Sequence, residues 1–208
     1  MGINTNDPLL QADIPYIEQM LKDGILKLMN ADLFPGRNGI QIIRCPDGDQ
    51  VGHLMTTHRL ICQGRDCHHS HSLNGLPIRF SPLSPLYNQR HHLDELICED
   101  IVATCGLKDL KESIALYPHW PCGAGLTARL SIWEQMSIAT NGKRLLLEYL
   151  AKHGHGNMVI VLGMHLDLFY KDQKTKVLLN WNRHQWANWH QAKFPHLDCS
   201  IELDKLVA

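Results

Sequence analysis

The apolar residues of this 208-residue chain follow two different periods, and the chain switches between them several times. That switching constrains the fold most, because a spacing of three and four residues describes a helix face and an alternation of two describes a strand. Ile14, Ile17, Leu21, Ile25 and Leu28, with Met20 beside them, predict an amphipathic helix over 14–31. Asp13 can cap it, Pro15 sits in its first turn, and Pro35-Gly36 closes it off. Ile40, Ile42 and Ile43, the turn residues from Pro46 to Asp49, and a second strand over 50–61 predict a β-hairpin. A short strand over 76–80 follows, then a proline-rich connection.

The central third reads as helical. Leu93, Leu96, Ile97 and Ile101 share one face of a helix that Gly106 can end, and 107–117 reads as a second helix stopped by Pro118. Ile132 and Met136, then 145–150, predict two more helices separated at Asn141-Gly142. Strand character returns over 158–170 and 176–179 around a turn at 172–174, with room for a bulge at Gly163. A helix over 182–193 carries Trp186 and Trp189. The expected fold is α+β: an N-terminal helix, a Cys/His-rich β-hairpin region, central helices, and a C-terminal β-hairpin and helix. A chain of this length buries roughly 70% of its unfolded surface, so one domain over 1–208 is expected. The alternative is a 36–85 Cys/His-rich module beside an 86–208 helical and hairpin part.

Twenty Lys and Arg against 21 Asp and Glu leave a formal charge of -1, so no global basic field draws in nucleic acid or an anionic membrane. The 14 histidines make that balance pH-sensitive just below neutrality. The longest strongly apolar run, Met158 to Met164, is far short of the roughly 20 residues that cross a bilayer, so no membrane association is expected. Seven cysteines and an N-terminus without a basic start and apolar stretch point to a cytoplasmic protein.

Chemistry concentrates in 53–71, which holds His53, His58, Cys62, Cys67, His68, His69 and His71. Zinc takes four tetrahedral nitrogen and sulfur ligands, commonly as closely spaced pairs on turns. Cys62 and Cys67 have the spacing for one such turn, with Gly64 to curl it and Arg65 to favour thiolate. The expected zinc ligands are Cys62, Cys67, His69 and His71, with His53, His58 or Cys45 as other candidates for the fourth position. The plain alternative is a histidine-rich loop with free cysteines and no metal.

Three further groups carry weaker signals. His91 and Glu95, one helical turn apart, pair an imidazole with a carboxylate, and His165 and Asp167 share a strand face. Arg183, Trp186 and Lys193 mix cationic and aromatic groups suited to contacting a partner, although helical tryptophans usually pack a core. Cys122 lies in a glycine-containing loop near His119, where a nucleophile could sit. The phosphate-binding, dinucleotide-binding, zincin and nucleophile-elbow motifs are missing. Two functions are therefore expected in order: a zinc-stabilised binding protein contacting nucleic acid or a protein partner through Arg183, Trp186 and Lys193, then a metal-dependent hydrolase or nuclease using His91, Glu95 or Asp167. A metal-free accessory protein is the third reading, and the sequence leaves enzyme against binding protein, and the oligomeric state, open.

Overall fold

The computed structural model describes residues 6–35, 39–61, 68–88, 90, 92–108, 112–170 and 173–197. In chain order the elements are α1 (Pro8–Lys22), β1 (Lys27–Leu28), a 3-10 turn (Ala31–Leu33), β2 (Ile40–Arg44), α2 (Gly48–Ile61) and β3 (His68–Ser72). They continue with α3 (Leu76–Arg79), α4 (Leu93–Lys108), β4 (Ser113–Tyr117), β5 (His119–Trp120), α5 (Gly123–Thr127), α6 (Ile132–Lys152), β6 (Val159–Tyr170), β7 (Gln173–Asn180) and α7 (Arg183–Lys193). The fold is α+β, with one seven-stranded mixed sheet ordered β1-β7-β6-β4-β2-β3 and β5 paired to β6. The strands from β3 to β6 run parallel, while β7 and β1 add on antiparallel.

The alternation of side chains along each central strand divides the core in two. Ile114 and Leu116 of β4 join Ile43, Ile160 and Leu162 on the face covered by α1, α4, α6 and α7. Ala115 and Tyr117 join Ile40, Ile42 and Val161 on the opposite face, under Leu54 of α2 and Phe34. Both faces of β4 are thus covered and all five of its residues are buried, which explains why 107–117 does not read as a strand. A strand buried on both faces shows a continuous apolar run, which periodicity cannot distinguish from a buried helix.

Several other local expectations are corrected. Residues 50–61 form α2 rather than a second strand, because Leu54 and His58, one turn apart, both turn into the sheet. The expected hairpin is therefore a parallel β2-α2-β3 unit. The first helix spans Pro8–Lys22: the Asp7 carboxylate accepts the Leu9 N–H at 2.8 Å, and Pro8 opens the first turn. Asp13 is then no cap but a buried helix residue, accepting the Trp120 indole N–H at 2.8 Å and the Ile132 N–H at 3.0 Å. Residues 76–79 are helical rather than extended.

Helix α6 runs unbroken through Asn141-Gly142, and its start is fixed by a capping box between Ser131 and Glu134. Gly142 serves packing there, since an added methyl group would meet the Phe80 ring at 3.1 Å. No bulge occurs at Gly163: β6 and β7 pair without interruption from Gly163 and Asn180 to Tyr170 and Gln173. The C-terminal hairpin and helix stand as expected, with Asn182 capping α7 through the His184 and Gln185 N–H groups.

Candidate metal centre

From β2 the chain leaves through α2 to β3 on one side, whereas β4 lies on the other side of β2. The carboxyl ends of β2 and β4 therefore flank the switch point of the sheet, where successive connections depart in opposite directions and leave a crevice. Cys45 is the first residue after β2, and His119 and Cys122 follow β4. These three residues form a buried group whose ligand atoms all lie within 4.8 Å of one another, so it could hold a metal ion. They are 6%, 4% and 3% exposed.

The surrounding backbone shapes the group. The Gly75 N–H donates to the Cys45 sulfur at 3.2 Å. Gly75 has a φ of +67°, and a methyl group added to it would fall 2.7 Å from the Ala124 side chain. Glycine thus satisfies both the left-handed backbone and the close approach to the Cys122 turn. Cys122 precedes α5, where the Gly125 and Ala124 N–H groups reach its sulfur.

The donor set fits a borderline-soft cation. The site favours thiolate at Cys45, which is pulled well below the ordinary thiol range, chiefly by a hydrogen bond from Cys122, with His119 and the Gly75 N–H assisting against burial. Cys122 is pushed up by that same donation and by burial. A metal would take both sulfurs as thiolates, displacing the remaining thiol proton. Both ring nitrogens of His119 are buried, and beyond the approach to the Cys45 sulfur neither makes a hydrogen bond among the described residues. Such a polar group is costly unless a ligand satisfies it.

A second polar line adjoins the group on the α2 side. His119 on β5 stands in register with His165 on β6. His165 is fully buried, and its Nε2 lies 2.8 Å from Nδ1 of His53 on α2. Asp167, two residues along the same strand face, is also fully buried and is ion-paired with Lys174 at 2.6 Å. Burial and nearby Lys176 hold His53 below the ordinary imidazole range, with Asp167 opposing them.

The residues expected from sequence are distributed differently. His69 and His71 lie on β3 beside Asp100 of α4, as a separate group. Cys62, Cys67 and His91 lie outside the described residues. Glu95 is on the exposed side of α4, 3.9 Å from His92. Trp186 is fully buried, its indole N–H donating to the Tyr16 hydroxyl at 3.0 Å, so it packs the core. Arg183 donates to the His184 ring at 3.0 Å, and exposed Lys193 stands 4.0 Å from the Asp23 carboxylate.

From sequence, Cys45 is a candidate only for the fourth position of the Cys62 and Cys67 turn, and Cys122 near His119 only for a nucleophile. The usable signal was the His119-x-x-Cys122 pair on one turn, with Cys45 directly after the apolar run Ile40–Ile43. No protein-family model, curated protein sequence or solved structure matches this chain. No helix among the described residues is long and apolar enough to cross a membrane.

Proposed function

We propose that this chain is a zinc-dependent enzyme that adds water to a small electrophilic carbon, with Cys45, His119 and Cys122 as the metal ligands. The observation that carries this reading is the buried Cys2His group at the sheet's switch point, which offers three donors among the described residues. Structural zinc sites are closed by four protein ligands, whereas catalytic sites use three and leave a position for water. A zinc ion held there would act as a Lewis acid and lower the pKa of water towards neutrality. Two thiolates and one neutral imidazole would neutralise the ion's charge, which favours an uncharged substrate.

Burial of all three donors limits access to a small molecule, such as carbon dioxide or the carbonyl of a short ester. Asp47, exposed and two residues beyond Cys45 at the head of α2, is the carboxylate suited to take a proton or orient the nucleophile. The alternative of a nucleic-acid or protein-binding module draws less support, since Trp186 is fully buried.

The test is turnover of the zinc-loaded chain in stopped-flow carbon dioxide hydration and in hydrolysis of a small aryl ester. His119→Asn and Cys122→Ser are expected to abolish both zinc binding and turnover. Asp47→Asn should keep the metal and lower kcat by about 10²–10⁴-fold. Stoichiometric zinc at Cys45 and Cys122 with no turnover of either substrate would overturn the enzymatic reading.

A further inference from the structure

On β3, the edge strand next to β2, the sheet carries a second set of metal donors separate from the Cys2His group. His69 and His71 alternate onto one face of β3, their rings 4.7 Å apart, and Asp100 of α4 reaches them so that all three ligand atoms fall within 4.8 Å. We propose that His69, His71 and Asp100 form a second site, binding one divalent first-row transition metal through two imidazoles and a carboxylate.

The strongest indication is the hydrogen bond behind the site. Gln41 of β2 is fully buried, and its amide nitrogen donates to the Ile101 carbonyl at 3.2 Å and to the Cys105 sulfur at 3.2 Å. Those two acceptors fix the amide orientation, so the Gln41 oxygen faces Nε2 of His71 at 2.8 Å. Nε2 must then carry a proton, which turns Nδ1 of His71 towards Asp100. Metal-bound histidines are held in this way, with the remote ring N–H given to a carbonyl or carboxylate oxygen that sets tautomer and ring orientation.

Nδ1 of His71 lies 2.6 Å from the Asp100 carboxylate. A metal at roughly 2.0–2.1 Å from each donor needs those atoms a little over 3 Å apart. The His71 side chain is 0% exposed, whereas that of Asp100 is 55% exposed and free to swing by that amount. A metal would thus enter a site already oriented from its buried side. Two imidazoles and a carboxylate on one side of the ion leave its outer positions to water, an arrangement suited to Fe(II), Mn(II), Co(II) or Zn(II).

This site does not depend on the function proposed for Cys45, His119 and Cys122, and cobalt distinguishes the two because only thiolate ligation gives an intense near-ultraviolet charge-transfer band. The full chain is titrated with Co(II) and its bound metal counted by elemental mass spectrometry. Two ions per chain are expected, the thiolate band saturating with one of them. Asp100→Asn and His69→Gln should each retain that band and weaken the second ion more than the roughly 10–100-fold that loss of an outer-shell partner costs. Asp100 is exposed enough for its variant to fold, which an unchanged melting temperature without metal would verify. A wild-type chain that saturates with a single thiolate-bound ion, or an Asp100→Asn variant that still binds two with unchanged affinity, would overturn the proposal. A single ion without the thiolate band would instead sustain this site and reject the Cys2His centre.

Discussion

Replacing Gly163 with alanine would put a methyl group where the Tyr117 ring lies. An added Cβ would fall inside the van der Waals envelope of that ring and 2.7 Å from the Met29 methyl. Tyr117 is 1% exposed and hydrogen-bonded to His58 of α2, so the ring has no open space to enter. Overpacking of this kind costs about 1–3 kcal/mol, and losing the net value of a buried hydrogen bond adds about 1 kcal/mol. A total of about 2–4 kcal/mol corresponds to a fall in Tm of roughly 5–15 °C for a chain of this size. Urea and thermal unfolding of Gly163→Ala, alone and with Tyr117→Val, would measure it. The alanine should cost less than about 0.5 kcal/mol once the ring is removed, because contacting residues are strongly non-additive. An equal cost in both backgrounds would refute the assignment of Gly163 to ring clearance. The same ring precedes His119, so Gly163→Ala should also weaken metal binding.

Asp13 is raised to about 6, chiefly by burial, with the Ile132 and Trp120 hydrogen bonds opposing the rise. A carboxyl whose folded pKa lies above its unfolded value contributes stability fully at about pH 3 and loses it as pH rises through 6, so this group costs roughly 3 kcal/mol at most by pH 7. The stability difference between wild type and Asp13→Asn should therefore change with pH between about 4 and 6.5 in urea titrations; a constant difference would contradict the burial argument. Gly75→Ala combines a left-handed backbone with a clash against Ala124, and should both destabilise the fold by about 1–3 kcal/mol and weaken metal binding at Cys45; a variant with wild-type Tm and metal affinity would count against that role. Ser131→Ala removes the capping box of α6 and should cost about 0.5–2 kcal/mol in chemical unfolding, without changing metal content.

The parts of the fold legible in the sequence are those with one wet face or a local stop signal. The β6-β7 hairpin shows partial alternation and a polar turn, and α7 begins at Asn182 with a side-chain cap. The parallel strands were harder, because Ser113–Tyr117 is apolar on both faces and carries no period. α2 carries little helical signal because Leu54 and His58 are its buried pair, and a histidine in that role does not register as apolar. The candidate metal group is hidden by the continuous apolar run of Ser113–Tyr117: with 107–117 read as helix, His119 and Cys122 have no reason to meet Cys45. Only the order of β2 and β4 in the sheet brings the two turns together, and that order is a tertiary property.

The most direct test of the central claim is X-ray absorption at the zinc edge of the full chain loaded with one equivalent of zinc. The thiolate site should fill first, being the softer of the two groups. The account predicts two sulfur scatterers at about 2.3 Å and two nitrogen or oxygen scatterers at about 2.0–2.1 Å, with the sulfur shell lost in Cys122→Ser. A shell without sulfur, or one unchanged by Cys122→Ser, would contradict it.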